Sequence, residues 1–182
     1  MNKRGDAIVL IGFMGAGKSS VGRTLARITG LSRFDTDEMV AGRFGLTIPE
    51  IFASHGEETF REAETVALRE LSKKSQTIVV TGGGIVLRPE NVTLLQELGT
   101  IVYLSADEET LFARISRRSN RPLLQTPDPR ATLTELLAKR LPFYREAADL
   151  EVDTSRLKHD EVARTILKRI EEHGRGDIHS KA

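Results

Sequence analysis

Ala7-Ile8-Val9-Leu10-Ile11-Gly12-Phe13-Met14-Gly15-Ala16-Gly17-Lys18-Ser19-Ser20-Val21-Gly22-Arg23-Thr24-Leu25-Ala26 is the stretch that decides the fold. Its first five residues form an unbroken apolar run that reads as a strand. Gly12 to Ser19 then fit GxxxxGKS in full, and Val21, Leu25 and Ile28 fall on one helical stripe. Strand, glycine-rich loop and helix in that order make a phosphate-binding loop. Glycines let successive backbone N–H groups turn toward one anion, and the helix start adds its partial positive charge. Lys18 is placed to reach the β and γ phosphates, and the Ser19 hydroxyl to hold Mg²⁺. Gly15, Ala16, Gly17, Lys18, Ser19 and Ser20 are therefore expected to bind a nucleoside triphosphate, ATP.

Composition narrows the rest. A chain of 182 residues, 39% hydrophobic, suits one globular domain with an ample core. Its 27 basic and 26 acidic residues leave a net charge of +1, so nothing in the charge balance supports a nucleic-acid partner. The absence of cysteine excludes disulfides and thiolate metal sites and agrees with a reducing cytoplasm. The first apolar run is too short for a signal peptide or a membrane span, so a soluble cytoplasmic protein is expected; a monomer is expected separately. His55, His159, His173 and His179 are scattered without zinc spacing and receive no role.

Further strands are expected at 77–81, 100–104 and 149–153, with a weaker one at 31–34. Phe60, Ala63, Ala67 and Leu71, and later Val162, Ile166 and Ile170, form helical stripes that read as core, as does the stripe through Ile28. Strands alternating with helices imply parallel pairing through right-handed crossovers. The expected fold is an α/β, three-layer α/β/α sandwich on a parallel five-stranded sheet built around the phosphate-binding loop, with a mobile lid. One domain is expected over 1–173, with a lid at about 112–130, an acceptor-binding region at about 35–64 and a disordered tail at 174–182.

Phe34-Asp35-Thr36-Asp37-Glu38 ends the weak second strand. Residues two apart in an extended segment face the same side, so Asp35 and Asp37 are expected to project together near the phosphate loop. One carboxylate can serve Mg²⁺ and the other can hold an acceptor hydroxyl and take its proton. The plainer alternative makes Asp37 a helix N-cap and Asp35 a solvated turn residue. The run Arg114-Ile115-Ser116-Arg117-Arg118-Ser119-Asn120-Arg121 is basic but lacks interleaved aromatics, which suits a lid closing over phosphates better than a nucleic-acid surface. Pro127 and Pro129 are expected to stiffen the return of this lid into a helix over 131–145.

Later motifs make a resemblance specific. Gly56-Glu57-Glu58-Thr59-Phe60-Arg61-Glu62-Ala63-Glu64, Gly82-Gly83-Gly84, Arg121-Pro122-Leu123-Leu124 and Arg140-Leu141-Pro142-Phe143-Tyr144 follow the loop and the D-x-D pair in order. In this the chain resembles the shikimate kinases, a family related in fold to nucleoside monophosphate kinases. The resemblance implies transfer of the ATP γ-phosphate to the 3-hydroxyl of shikimate, a step of aromatic amino-acid biosynthesis. It implies that Asp37 is the ligand of the substrate hydroxyl and its base, that Asp35 lies near Mg²⁺, and that Arg61 and Arg140 grip the carboxylate. It further implies a backbone contact from Gly83, a phosphate contact from Arg121 in the lid, and adenine-side positions for Arg114 and Arg156. Ser20 stands where the family often has Thr, and Phe143 where it often has Leu; neither removes a group the chemistry needs.

The residue types agree with this assignment. A guanidinium is a planar fork that pairs bidentately with a carboxylate, although Arg61 could instead pair with Glu57 or Glu64 on its own helix and Arg140 with surface acids. Three consecutive glycines read either as a flexible turn or as bare backbone suited to close approach of a ligand. A gluconate kinase and a nucleotide-dependent binding module remain the alternatives from the sequence.

Overall fold

The computed structural model describes residues 5–117 and 126–179. Five strands, β1 (Ala7–Ile11), β2 (Ser32–Asp35), β3 (Thr77–Val80), β4 (Gly99–Ser105) and β5 (Leu150–Asp153), form one parallel sheet in the order β2-β3-β1-β4-β5. The most apolar strand is central: β1 pairs Ile8 with Ile78 on one side and with Thr100 on the other, and all five of its residues are buried. A strand covered on both faces has no reason to alternate, which is why its sequence is a continuous apolar run. The edge strand β2 is only partly buried and reads weakly for the same reason in reverse.

Among the described residues seven α-helices accompany the strands, six of them between strands and the last after β5: α1 (Lys18–Thr29), α2 (Thr36–Phe44), α3 (Ile48–Leu71), α4 (Pro89–Leu98), α5 (Glu108–Ser116), α6 (Pro129–Ala147) and α7 (His159–His179). Helices α1 and α7 pack together, α1 against β3 and α7 against β5. Helix α4 lies on β1 and β4 beside α3, and α6 also rests on β4. One core cluster runs through the sheet and its helices, and a second, formed by Val40, Ile51, Phe60, Ala63 and Ala67, joins α2 to α3. That smaller cluster gives the 35–64 region its own packing. Within it α3 breaks at Gly56 (φ 80°, ψ 170°), so two helical segments meet there across a kink. Positive φ is the reason for glycine there.

Three expectations shift. Ile28 is 37% exposed rather than core, because it sits in the last turn of α1, where Gly30 already turns the chain away at φ 75°. Helix α6 starts at Pro129, not 131: proline is accommodated at a first helical position, where its missing N–H has no partner to lose, and Asp128 caps the helix through Arg130 N and Ala131 N. Helix α7 runs on to His179, beyond the point at which a frayed tail was expected. Of the expected lid at 112–130, residues 118–125, including Arg121, lie outside the described residues, as do 180–182.

Candidate active site

A cavity of about 430 Å³ opens at the carboxyl ends of the central strands, the usual ligand position of open parallel sheets. Its lining includes Gly15, Gly17, Lys18, Ser19 and Ser20 from the loop between β1 and α1, Asp35 and Asp37 from the β2–α2 junction, Gly83 after β3, and Arg114 from α5. Gly15 and Gly17 adopt φ 82° and 97°, the left-handed region that L side chains resist, and Gly17 forms the N-cap of α1 without a side-chain cap. The first turn of α1 holds no acid. Five of the other helices carry Asp or Glu there, and α6 has Asp128 as its cap. An acid at a helix start neutralises its partial positive charge, so α1 keeps its N-terminal field available for a phosphate.

Lys18 is almost wholly buried and curls back over the loop, with Nζ 2.7 Å from Gly12 O and 3.0 Å from Phe13 O. The loop is propped from behind by residues far along the chain. Thr154 Oγ1 lies 3.1 Å from Ala16 O and 3.0 Å from Ser105 O, and Arg114 donates to Thr154 Oγ1 (3.0 Å), Thr154 O (2.6 Å) and Gly15 O (3.4 Å). Arg114 thus ties the phosphate loop to the β5–α7 connection while lining the cavity. Arg156 is exposed on that connection and is not among the cavity-lining residues described, whereas His159, given no role from sequence, lines the cavity beside Gly17.

The two aspartates are not a same-side strand pair. The strand ends at Asp35 and a helix starts at Thr36, so Asp35 becomes the N-cap, its Oδ1 accepting from Asp37 N at 3.1 Å, and Asp37 enters the first turn of α2. The alternative in which Asp37 is the cap is likewise corrected: Asp35 caps, and Asp35 is buried rather than solvated. Asp35 Oδ2 stands 3.4 Å from Ser19 Oγ and 3.3 Å from Arg33 Nη1. Burial above all, with the nearby Glu38 charge, raises its carboxyl above the usual carboxylate range, with Arg33 acting the other way. A hydroxyl and a carboxylate converging beside a phosphate loop are hard oxygen donors, the set that Mg²⁺ takes together with phosphate and water oxygens. Among the described residues no group of three acidic or histidine side chains could hold a metal alone.

The acceptor side is organised around the triple glycine. Gly82 N donates to the buried Thr36 Oγ1 at 3.1 Å, and a Cβ on Gly82 would stand 2.6 Å from both Asp37 Oδ1 and Glu64 Oε1. A Cβ on Gly84 would meet the Arg61 guanidinium at 2.5 Å, while one on Gly83 would meet nothing nearer than 3.5 Å. None of the three has a left-handed φ, so what glycine spares at 82 and 84 is displacement of these side-chain ends. Arg61 donates to Glu64 Oε2 at 2.6 Å and to Glu57 Oε1 at 3.0 Å, so the pairing within its own helix is real and holds the fork against Gly84. Arg140, also buried, places Nη1 3.4 Å from Gly83 O and its guanidinium over the Phe13 ring. Two guanidinium groups therefore flank adjacent glycines, although of these residues only Gly83 is among those lining the cavity. Glu64 has no exposed surface; burial pushes its carboxyl up to about 7, with Arg61 holding it down and Asp37 adding to the rise.

The family pattern described as "Shikimate kinase" matches residues 14–171. The chain is 44% identical to shikimate kinase of Bordetella avium over 90% of its own length and 78% of the relative's. With that of Thermodesulfovibrio yellowstonii it shares 43% over 93% and 97%. The structure of shikimate kinase from Acinetobacter baumannii in complex with shikimate superposes with a TM-score of 0.88 at 38% identity, covering 94% of this chain and 96% of the other.

Proposed function

The chain belongs to the shikimate kinase family, and from that footing we propose the residues through which it transfers the ATP γ-phosphoryl group to the 3-hydroxyl of shikimate, yielding shikimate 3-phosphate and ADP in aromatic amino-acid biosynthesis. The observation that carries the reading is one cavity in which the phosphate loop meets Asp37 and Gly83, with Arg61 and Arg140 flanking the glycine segment.

In this reading the loop amides and the α1 N-terminus hold the β and γ phosphates, and Lys18 leaves the Gly12 and Phe13 carbonyls to offset charge on the transferring group. Asp37 accepts the hydrogen of the 3-hydroxyl and takes its proton as the oxygen–phosphorus bond forms and the bond to the ADP oxygen breaks. Arg61 and Arg140 hold the shikimate carboxylate, Gly83 supplies a backbone contact, and Arg121 reaches the phosphates from the lid. Ser19 and Asp35 would hold Mg²⁺, which when bound neutralises phosphate charge. Arg114 and Arg156 serve the nucleotide side. Closure of the lid at 112–130 keeps water from competing as acceptor. The enzyme acts as a cytoplasmic monomer; among the described residues no helix is long and apolar enough to cross a membrane.

A coupled ADP-release assay across shikimate, quinate, gluconate and nucleoside monophosphates tests the reading. Strong stimulation by shikimate alone is expected. Stimulation led by gluconate assigns another acceptor, and ADP release that no acceptor stimulates assigns a nucleotide-dependent binding module.

A further inference from the structure

The segment that faces the acceptor has no side chains of its own, so its shape must be imposed by neighbours. Buried polar groups do this along its length: Thr36 Oγ1 takes the Gly82 N–H, and Asn91 Nδ2 donates to Ile85 O at 3.1 Å just downstream. At the centre the Tyr144 hydroxyl donates to Gly83 O, the same carbonyl that Arg140 approaches. Tyr144 is fully buried on α6, one helical turn beyond Arg140, and its ring stacks on Tyr103 of β4 with centroids 5.1 Å apart and planes 15° from parallel. A ring gripped in this way has one place to put its hydroxyl, and burial keeps that hydroxyl protonated as a donor.

We propose that Tyr144 is a positioning residue for the acceptor: its hydroxyl fixes the Gly83 carbonyl, and with it the glycine segment against which Arg140 and the bound acceptor are registered. The inference rests on the acceptor reading above. It assigns Tyr144 no contact with ATP and no part in bond making. A peptide flanked by glycines on both sides has little intrinsic preference for one orientation, so losing one neutral hydrogen bond loosens acceptor binding while leaving the phosphate loop, braced separately by Thr154 and Arg114, unchanged.

The test is Tyr144→Phe in the full chain, which keeps the ring and its stack. The expected result is a rise of about 3- to 10-fold in the KM for shikimate, with the KM for ATP and kcat unchanged. The thermal shift produced by shikimate should shrink while that produced by ATP persists, a contrast that general loosening of the fold would not give. Equal rises in both KM values, a fall in kcat alone, or no change would each overturn the proposal. If Tyr144→Phe does not fold, Tyr103→Leu keeps the hydroxyl but withdraws the ring beneath it, and the same selective rise for shikimate is required. A wild-type enzyme that shikimate does not stimulate refutes the acceptor reading and this inference together. An active wild type with an indifferent Tyr144→Phe refutes the inference alone.

Discussion

Gly82, Gly83 and Gly84 can be separated by adding one methyl group to each in turn. At Gly82 the new Cβ would lie 2.6 Å from Asp37 Oδ1 and 2.6 Å from Glu64 Oε1, where ordinary contact begins near 3.4 Å, so both carboxylates must give way by most of an ångström. A displacement near 1 Å at a reacting group costs about 100-fold in rate, so Gly82→Ala is expected to lower kcat by about that factor with ATP affinity retained. At Gly84 the Cβ would meet three guanidinium atoms of Arg61 between 2.5 and 2.7 Å. Moving that fork forfeits charged hydrogen bonds of about 1.5–3 kcal/mol, so Gly84→Ala should raise the KM for shikimate about 10- to 150-fold.

Gly83→Ala is the internal control for folding. Its nearest neighbour, Met14 N at 3.5 Å, is at ordinary contact distance, so its melting temperature should stay close to wild type while the other two fall. Steady-state kinetics on both substrates and a thermal melt of each variant suffice. If the glycines served flexibility rather than clearance, the three substitutions would act alike; equal losses at all three positions, or a Gly82→Ala enzyme of normal turnover, refute the reasoning.

Lys18→Ala should leave a folded protein whose transferase activity falls by at least about 100-fold, and near-normal turnover by that variant removes Lys18 from the phosphate grip. Asp37→Asn, nearly isosteric but a poor proton acceptor, should lose turnover far more than ATP affinity; because Asp35 and not Asp37 caps α2, the helix should be unharmed and the melt unchanged. Arg61→Lys and Arg140→Lys keep charge but lose the fork, so each should raise the shikimate KM with ATP binding little altered, and unchanged KM values for both would withdraw the carboxylate clamp. Glu64, raised from 4.5 to about 7, stays protonated in the fold over a range where the unfolded chain has ionised. The folded state then binds more protons, and stability falls as pH rises through this window and levels off above it. Urea melts from pH 5 to 8.5 should show wild type losing on the order of 3 kcal/mol relative to Glu64→Gln, and parallel profiles would contradict the assignment.

The phosphate loop and the sheet were legible because their signals are local: an apolar run, glycines at fixed spacing, a helical stripe. Boundaries slipped where tertiary chemistry took over. Asp35 and Asp37 read as a strand-end pair because nothing in Asp-Thr-Asp announces that the helix begins at Thr36; a capping carboxylate reveals itself only through the amide it accepts. Ile28 satisfied the period of α1 but lay in its last turn, where Gly30 already turns the chain away. The supporting residues left the weakest trace. Thr36, Tyr144 and Thr154 act on partners 46, 61 and 138 positions away, and a threonine or tyrosine carries no mark of a distant carbonyl. Glu64 was visible inside its motif, three residues after Arg61, yet its burial and the crowding at Gly82 needed the approach of α3 to the glycine segment.

The bracing of the phosphate loop by Thr154 also bears on how the chain comes to life. On the ribosome the loop emerges complete in sequence, but Arg114 and Thr154, which hold Gly15 O and Ala16 O, are made 99 and 138 residues after the carbonyls they hold. The central strand waits as well, since β3 and β4 lie far downstream of β1. Parallel pairings of such long reach are slow to form and expose apolar edges meanwhile. A nascent chain halted before β5 would thus carry the nucleotide motif without the full grip, and ATP has no finished site to occupy until the segment bearing Thr154 has been made. Stabilisation by ATP then falls on completed molecules and passes over partial ones, so the nucleotide rewards the last step of maturation rather than the first.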